Sequence, residues 1–220
     1  MKDKLKSLEF GSYLAWVPKK YKSINEEARK AFELMTAVKG HRINSTGVSF
    51  IDMIINIMKK ELDELPFRYF FQDRPVLVPI PRSAKSREGT LWVPYEICIS
   101  LEKNKLGHTE KLLERTKSVA QSSQSQAQDR PSPSEHYNSL SCRSLIGTFD
   151  KFVLVDDVIT RGHTAMGAAW RLSEAFPNAE IVIFAIFRTV SNPSDFNGLY
   201  DPRKGTIEYR PENDDCLRRP

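Results

Sequence analysis

The chain of 220 residues has few of the features that mark secreted or membrane proteins. Its 3 cysteines, Cys98, Cys142 and Cys216, form no CxxC pair, so we expect neither a disulfide framework nor a structural zinc site. No apolar run reaches the roughly eighteen residues that a membrane-spanning helix needs. Residues 1–9 alternate lysines with single apolar residues and lack the apolar segment of a signal peptide. We therefore expect a cytoplasmic protein without a membrane partner.

The charge balance of the chain is basic. Lysine and arginine number 33 against 28 aspartates and glutamates, which gives a formal net charge of +5. This balance suits a nucleic-acid-binding protein, and it equally suits an enzyme whose substrate is a small polyanion. Because the basic residues are spread along the chain and form no long block, we favour a small anionic ligand. A nucleic-acid partner stays open as the alternative.

Residues 1–75 are predicted to be helical. Residues 23–26 have the spacing of a capping box, and apolar side chains follow them at helical intervals until Gly40. A second apolar stripe runs through residues 50–62. We expect this part of the chain to form a helical N-terminal region, or a hood over a ligand site.

The pattern changes at Val76 to that of a parallel α/β sheet. Residues 76–80, 152–155 and 181–187 form short continuous apolar runs, which are typical of strands buried on both faces. A helix predicted at about residues 164–176 connects the last two runs in a βαβ unit. The sequence therefore predicts an α/β fold, with a parallel sheet flanked by helices.

The predicted sheet domain spans residues 76–190. Within it, residues 114–141 include a Ser- and Gln-rich stretch that contains few large apolar side chains. Such a stretch is either a mobile functional loop or a disordered insert. Residues 191–220 are polar and rich in turn residues, so we expect a C-terminal extension whose end, from Asn213, is frayed.

Two aspartates follow the second apolar run, in the sequence VLVDDVITRGHT that begins at Val153. This pattern places Asp156 and Asp157 at the carboxyl end of a buried strand, where open α/β sheets bind ligands. A short loop containing Gly162 then leads into a helix, whose free N–H groups and dipole favour a phosphate. An ordinary polar strand end is the alternative interpretation. Two adjacent acids at this position are costly, however, unless a cationic or hydroxyl group meets them.

The loop after the aspartates carries the predicted phosphate contacts. Thr160 and Thr164 offer hydroxyl donors, and Gly162 allows a close approach to the backbone. Arg161 and His163 would place positive charge at the mouth of the site. The spacing of a Walker A loop is missing, so a P-loop nucleotide site is not expected.

This segment resembles the motif that binds 5-phosphoribosyl-1-pyrophosphate (PRPP) in type I phosphoribosyltransferases. The shared pattern is four apolar residues, two acidic residues and a Thr- and Gly-rich loop. The resemblance implies a Rossmann-like sheet in which Asp156 and Asp157 bind the ribose and residues 160–164 bind the 5′-phosphate. It also implies an Mg²⁺ ion near the two aspartates, contacted through PRPP and the ribose hydroxyls.

A second loop follows the first predicted strand, and in this family the corresponding loop binds pyrophosphate. Here it offers cations, a hydroxyl group and backbone N–H groups. A solvated basic loop is the alternative interpretation. The pyrophosphate-binding residues that the resemblance implies are Arg82, Ser83, Ala84, Lys85 and Arg87.

Type I enzymes also carry a flexible loop that closes over PRPP and excludes water. The loop contributes a basic residue to the leaving pyrophosphate. By position, the resemblance implies Arg115 and Lys117 as catalytic residues, with Arg130 as a further candidate. Asp156 and Asp157 would stabilise the sugar in an oxocarbenium-like transition state.

Within the family, the chain most closely resembles the competence-protein-F-like branch. The chain lacks the cysteine-rich zinc module of that branch. The features that carry this resemblance are the spacing of Arg115, Gln121, Arg130 and Asn138 and the segment Arg87-Glu88-Gly89 after the first loop.

The resemblance implies a glycosyltransferase of nucleotide metabolism. It would transfer 5-phosphoribosyl from PRPP to a nitrogenous base, release pyrophosphate and act as a homodimer. Phe187 and Arg188, at the end of the third predicted strand, would contact the base. No sequence feature identifies that base. Two alternatives stay open: a catalytically silent regulatory protein that senses PRPP or a nucleotide, with or without a nucleic-acid partner, and an effector that uses PRPP chemistry in defence.

Overall fold

A seven-stranded sheet with helices on both faces organises the computed structural model, which describes residues 5–18, 25–84, 89–120, 130–145, 147 and 149–220. The strands are β1 (Ser7–Trp16), β2 (Val76–Pro79), β3 (His108–Thr109), β4 (Leu113–Arg115), β5 (Leu140–Cys142), β6 (Lys151–Ile159), β7 (Glu180–Thr189), β8 (Tyr200–Arg210) and β9 (Asp215–Arg219). The α-helices are α1 (Glu26–Lys39), α2 (Phe50–Lys60), α3 (Val93–Lys103), α4 (Pro133–Asn138) and α5 (His163–Ala175). Short 3₁₀ helices lie at Leu62–Glu64, Arg68–Phe71 and Pro193–Asp195.

The large sheet is mostly parallel. Its strand order is β3-β2-β6-β7-β1-β8-β9, and the strands from β3 to β1 run parallel to one another. Strand β8 runs antiparallel to β1, and β9 antiparallel to β8. Strands β4 and β5 form a separate antiparallel pair. The predicted α/β architecture, a mostly parallel sheet flanked by helices, is confirmed.

The chain leaves β2 and β6 in opposite directions across the sheet. From β2 it passes through α3 to β3 at the edge, whereas from β6 it passes through α5 to β7. Ile97 of α3 and Met166 of α5 belong to different core clusters, so the two helices cover opposite faces. A crevice therefore opens between the carboxyl ends of β2 and β6, at the position where open α/β sheets bind ligands.

Strand β1 corrects the expectation that residues 1–75 are helical. Helices α1 and α2 form as predicted, but Ser7–Trp16 is a strand that lies between β7 and β8. Gly11 and Ser12 interrupt its apolar pattern, which hides the strand in the sequence. The glycine is required by packing, because a Cβ atom at Gly11 would lie 2.7 Å from the Cβ atom of Phe67.

The C-terminal residues also differ from expectation, because the end of the chain is not frayed. Strands β8 and β9 extend the sheet, and Cys216 is buried within it. Arg218 donates hydrogen bonds to the backbone oxygens of Ile159 and Thr189, at 2.9 and 2.5 Å. Half of each strand faces solvent, so its polar residues resemble those of a loop. All three sequence ranges that we distinguished contribute strands to one sheet.

The predicted mobile loop at residues 114–141 contains regular structure at both ends. Strand β4 enters it, and α4 and β5 leave it. Helix α4 begins with a capping box, in which the side chain of Ser132 accepts from the Glu135 N–H group and the Glu135 side chain accepts from the Ser132 N–H group. Residues 121–129 lie outside the described residues, so their predicted mobility stays a prediction. In the described part of the chain, no helix is long and apolar enough to cross a membrane.

Candidate functional site

The loop between β6 and α5 is shaped by Gly162. This residue is the N-cap of α5 and has a φ of +98°, in the left-handed region that favours glycine. A Cβ atom there would also lie 2.6 Å from the side chain of Ile207. No side chain among the described residues caps the helix, so the N–H groups of its first turn keep no intrahelical acceptor. The arrangement suits an anion.

One pocket gathers most of the predicted sugar-phosphate residues. Its lining includes Asp156 and all five loop residues from Thr160 to Thr164, together with Arg130. The hydroxyl group of Thr160 lies 3.0 Å from that of Thr189 in β7, which fixes the start of the loop. Carboxylate, hydroxyl groups and helix N-terminus therefore meet at the carboxyl end of β6.

The two adjacent aspartates have different surroundings. Phe152 and Leu154 pack on the α5 side of the sheet, whereas Val153 and Val155 pack on the other side. Continued alternation places Asp156 on the α5 side, where it lines the pocket, and Asp157 on the side of α1. The sequence prediction treated the aspartates as an equivalent pair, but their contacts differ.

Asp156 keeps a small accessible surface in the pocket, although protein atoms surround it closely. Burial, followed by the negative charge of Asp157, raises the pKa of Asp156 well above its ordinary value. A hydrogen bond from the backbone N–H group of Asp157 to Oδ1 of Asp156, at 2.9 Å, opposes this shift. The carboxyl group is thus placed to exchange hydrogen bonds with ligand hydroxyls.

Lys39 is a site residue that the sequence analysis missed. It is the last residue of α1, and its Nζ atom lies 2.8 Å from Oδ2 of Asp157. Burial alone would lower the pKa of Lys39, but the charge and hydrogen bond of Asp157 outweigh it and raise the pKa. A lysine in the last turn of a helix is common, because it complements the helix dipole. Its contact with β6 has no signal in the sequence.

His163 is held by two protein acceptors and does not point free at the pocket. Its Nδ1 atom lies 3.0 Å from the backbone oxygen of Pro131, and its Nε2 atom lies 2.6 Å from Oδ1 of Asp215. Burial raises the pKa of Asp215, but the hydrogen bonds from His163 and the Cys216 backbone, together with the charges of His163 and Arg161, outweigh burial and lower it. Arg161 lies 3.8 Å from the same carboxylate. Both ring nitrogens of His163 are therefore engaged by protein atoms, so neither is free to bind a phosphate in this structure.

His136 contacts the phosphate loop through Thr164, with 3.2 Å between Nε2 and Oγ1. Burial, with the charges of Arg115 and His163, lowers the pKa of His136 to about 3, so the ring is neutral. Its Nδ1 atom has no partner among the described residues. Since an orphaned donor is rarer than an orphaned acceptor, we assign the proton to Nε2, which leaves the hydroxyl hydrogen of Thr164 for a ligand. Sequence reasoning missed this residue because a single histidine in a polar stretch is typical of a loop surface.

Arg115 is buried and donates hydrogen bonds to several fixed acceptors of the protein. Only 4% of the residue is exposed. It donates to the backbone oxygens of Arg82 at 3.0 Å and Pro81 at 3.4 Å, and to Oγ of Ser139 at 2.5 Å. Burial lowers the pKa of Arg115 to about 10. Its planar guanidinium group matches several fixed acceptors at once. The predicted catalytic role of Arg115 stays a prediction. Lys117 is exposed.

The predicted pyrophosphate loop follows β2 and lies beside the strand that carries Asp156. The N–H group of Ile80 donates to the backbone oxygen of Val155 at 2.9 Å, which holds the loop against β6. Arg82 donates to the backbone oxygen of Leu91 at 2.8 Å, and the Ser83 carbonyl accepts from Val119 at 2.9 Å. Ala84 is exposed, and Lys85 and Arg87 lie outside the described residues.

The predicted base-binding residues are not accessible in this structure. Phe187 is fully buried in the core, and Arg188 is 6% exposed and forms an ion pair with Asp201. Strand β7 continues to Thr189, beyond the end of the apolar run. Both residues therefore lie inside the sheet and not at the edge where a base could contact them.

The donor set near the aspartates suits a metal ion that arrives with its ligand. In the described residues, no group of three or more His, Cys, Asp or Glu side chains could hold a metal ion. Asp156 lines the pocket, whereas Asp157 is engaged by Lys39. Because Mg²⁺ demands six oxygens and keeps several waters, PRPP oxygens would have to complete its coordination.

Comparisons with known proteins identify no family for this chain. No family model matches it, and no curated protein matches it. Among solved structures, a hypoxanthine phosphoribosyltransferase from Staphylococcus aureus is similar with a TM-score of 0.32 and 13% identity. That match covers 68% of this chain and 70% of the other. At this distance, neither family nor activity follows from the match.

Proposed function

We propose that this protein is a phosphoribosyltransferase, which transfers 5-phosphoribosyl from PRPP to a nitrogenous base and releases pyrophosphate. The observation that carries the proposal is the shared pocket of Asp156 and residues 160–164 at the carboxyl end of β6. This pocket lies where the chain leaves β2 and β6 in opposite directions.

The 5′-phosphate occupies the N-terminal end of α5 in this proposal. Free N–H groups of the first turn, the helix dipole and the hydroxyl group of Thr164 all favour its oxygens. Gly162 permits the close approach, because its left-handed conformation opens the turn without a side chain. The residues of this half of the site, 160–164, are those of the sequence motif and line one pocket.

The ribose lies over Asp156. Its hydroxyls exchange hydrogen bonds with the carboxyl group of Asp156. Burial and the charge of Asp157 raise the pKa of this group, so hydrogen bonds from a ligand would stabilise it. Asp157 acts from the other side of the strand, with Lys39 balancing its charge. Positive charge that develops on the sugar in the transition state would be stabilised through the hydrogen bonds between the Asp156 carboxyl group and the ribose hydroxyls.

Pyrophosphate leaves toward the loop after β2. Arg82 and the backbone N–H groups of residues 83–84 are the described candidates, and Lys85 and Arg87 are the candidates outside the described residues. Lys117 is exposed and remains a proposed loop cation. Mg²⁺ bound with PRPP would supply charge neutralisation for the leaving group.

One observation favours a second candidate, a regulatory protein that binds PRPP or a nucleotide without catalysis. The predicted base contacts, Phe187 and Arg188, are buried or paired. A site with a sugar-phosphate half and no base half would bind PRPP and transfer nothing.

Three further expectations stay predictions: the placement in the competence-protein-F-like branch, the homodimer and the cytoplasmic location. Sedimentation of the purified chain tests the homodimer.

Two measurements test the proposed function. The protein is titrated with PRPP in the presence of Mg²⁺, and pyrophosphate release is then assayed with a panel of purine and pyrimidine bases. We expect micromolar to millimolar PRPP binding and release of pyrophosphate with one class of base. Binding without release from any base would support the regulatory protein and contradict the enzyme.

Substitutions locate the site. Asp156→Asn combined with Asp157→Asn should abolish PRPP binding while the chain stays folded. Asp195→Asn, in the exposed 3₁₀ helix Pro193–Asp195, is the matched control and should bind PRPP normally. Unchanged binding by the double variant would show that PRPP does not occupy this pocket.

A further inference from the structure

The sugar-phosphate pocket has a shortage of free positive charge. The phosphate loop has two basic residues, His163 and Arg161. Both ring nitrogens of His163 are hydrogen-bonded, one to the backbone oxygen of Pro131 and one to the carboxylate of Asp215. Arg161 has 46% of its side chain exposed and lies toward Asp215. The carboxyl group of Asp156 lines the same pocket and supplies no positive charge to it. The dipole of α5 offsets only part of the charge of a phosphate dianion held there, so a cation from another part of the chain would add to its binding.

Arg130 lines this pocket together with the phosphate loop. Its Nε atom is buried, and within the described residues it has no hydrogen-bond partner. Arginine offers only donors, and a buried donor without an acceptor is costly. Because Nε has almost no accessible surface, a ligand oxygen would meet the guanidinium group where it lines the pocket, and a phosphate oxygen matches that group in both charge and geometry.

The backbone that follows this arginine is fixed to the phosphate loop. The next residue, Pro131, accepts the hydrogen bond of His163 through its carbonyl oxygen, at 3.0 Å. Ser132 then begins α4 with a capping box. Arg130 is thus presented to the pocket from an anchored position, and His163 acts as a positioning residue that ties this segment to the start of α5.

We infer that Arg130 is the cation that binds the 5′-phosphate and gives the pocket its selectivity for a sugar phosphate over the free sugar. This inference rests on the proposed function and deepens it, because it assigns Arg130 to the 5′-phosphate and not to the leaving pyrophosphate. The residue lies in one pocket with the N-terminus of α5, whereas the pyrophosphate is assigned to the loop after β2.

The test compares three probes on four proteins. Ribose 5-phosphate, ribose and inorganic pyrophosphate are titrated calorimetrically into the wild type, Arg130→Gln, Arg130→Lys and the control Arg29→Gln. Arg29 is exposed on α1 and pairs with Glu33, so its replacement removes the same charge away from the pocket. Thermal unfolding of each protein confirms that it is folded.

We expect Arg130→Gln to weaken ribose 5-phosphate binding about 10- to 100-fold, as loss of a charge-assisted hydrogen bond implies. Arg130→Lys should keep part of the affinity, and ribose and pyrophosphate binding should be unchanged in all variants. If Arg130→Gln is poorly folded, Arg130→Lys provides the test. The inference is overturned if Arg130→Lys binds ribose 5-phosphate with wild-type affinity and binds pyrophosphate more weakly than the wild type.

The failures of the inference and of the proposed function are distinguishable. Equal binding of ribose 5-phosphate by the wild type and Arg130→Gln overturns the inference and leaves the proposed function standing. An effect of the substitution on pyrophosphate alone also overturns it, because the residue then serves the leaving group. Absence of binding of both ribose 5-phosphate and PRPP to the wild type overturns the proposed function itself.

Discussion

The ammonium group of Lys39 lies 2.8 Å from Oδ2 of Asp157. Lys39 ends α1, whereas Asp157 lies in β6, so the N-terminal helix reaches the strand that carries the candidate site. The neighbouring Asp156 lines the pocket and forms no ion pair with any of the described residues. Two adjacent acids therefore avoid full repulsion because one is paired across the sheet and the other exchanges hydrogen bonds within the site.

The first prediction concerns this ion pair. Lys39→Gln removes the cation that offsets Asp157, so the site becomes more negative and should bind the polyanion PRPP about three- to tenfold more weakly. Isothermal titration with PRPP measures the change. Lys30→Gln is the control, because Lys30 pairs with Glu26 on the exposed face of the same helix. Equal PRPP affinity of Lys39→Gln and the control would contradict a role for the pair.

The parts of the fold that were predictable from the sequence are those with local patterns. Continuous apolar runs mark β2, β6 and β7, since each of these strands is buried on both faces. The phosphate loop could be recognised because Asp156 and Gly162 lie in one short stretch of chain. The end of the strand, the loop and the start of the helix are consecutive in the sequence, so one short segment contains the whole pattern.

The parts that escaped prediction depend on contacts between distant segments. Lys39 reaches Asp157 only after α1 packs on the sheet, and Arg115 finds its acceptors only when three segments meet. Strand β9 carries Arg218, whose hydrogen bonds to β6 and β7 hold a polar end of the chain in the sheet. Residue type alone does not distinguish such a buried arginine from a solvated or catalytic one.

The second prediction concerns Gly162. Gly162→Ala forces a side chain into the left-handed region and against Ile207, 2.6 Å away, so we expect both lower stability and weaker PRPP binding. Urea unfolding and calorimetric titration measure the two effects. The backbone strain alone costs about 1 kcal/mol, and the collision adds to it.

A control separates strain from collision in this experiment. Gly47 also has a positive φ, of +80°, but a Cβ atom there would meet nothing within 4 Å. Gly47→Ala should therefore show the strain without the collision, and it should leave PRPP binding unchanged. If the two alanine variants lose the same stability and bind PRPP equally, the contact with Ile207 does not shape the loop.

The third prediction distinguishes a structural arginine from a catalytic one. Arg115→Met leaves the acceptors on Pro81, Arg82 and Ser139 without their donor, so stability should fall by about 3 kcal/mol in urea unfolding. Lys117→Gln, on the exposed part of the same segment, should change stability by less than about 0.5 kcal/mol. An Arg115→Met variant with wild-type stability and lost transferase activity would instead restore the catalytic assignment.

The fourth prediction uses the neutral ring of His136. Burial lowers its pKa to about 3 in the folded chain, whereas the unfolded chain binds the proton near pH 6.5. Between these values the unfolded state carries more protons, so stability falls as pH falls, by about 2 kcal/mol between pH 7 and 5. His136→Asn should lose less stability over that interval in urea unfolding. His108→Asn should lose more than the wild type, because the Glu102 hydrogen bond raises the pKa of His108 and its protonation favours the folded state. An equal loss of stability in His136→Asn and the wild type over this interval would show that the pKa of His136 is not lowered in the folded chain.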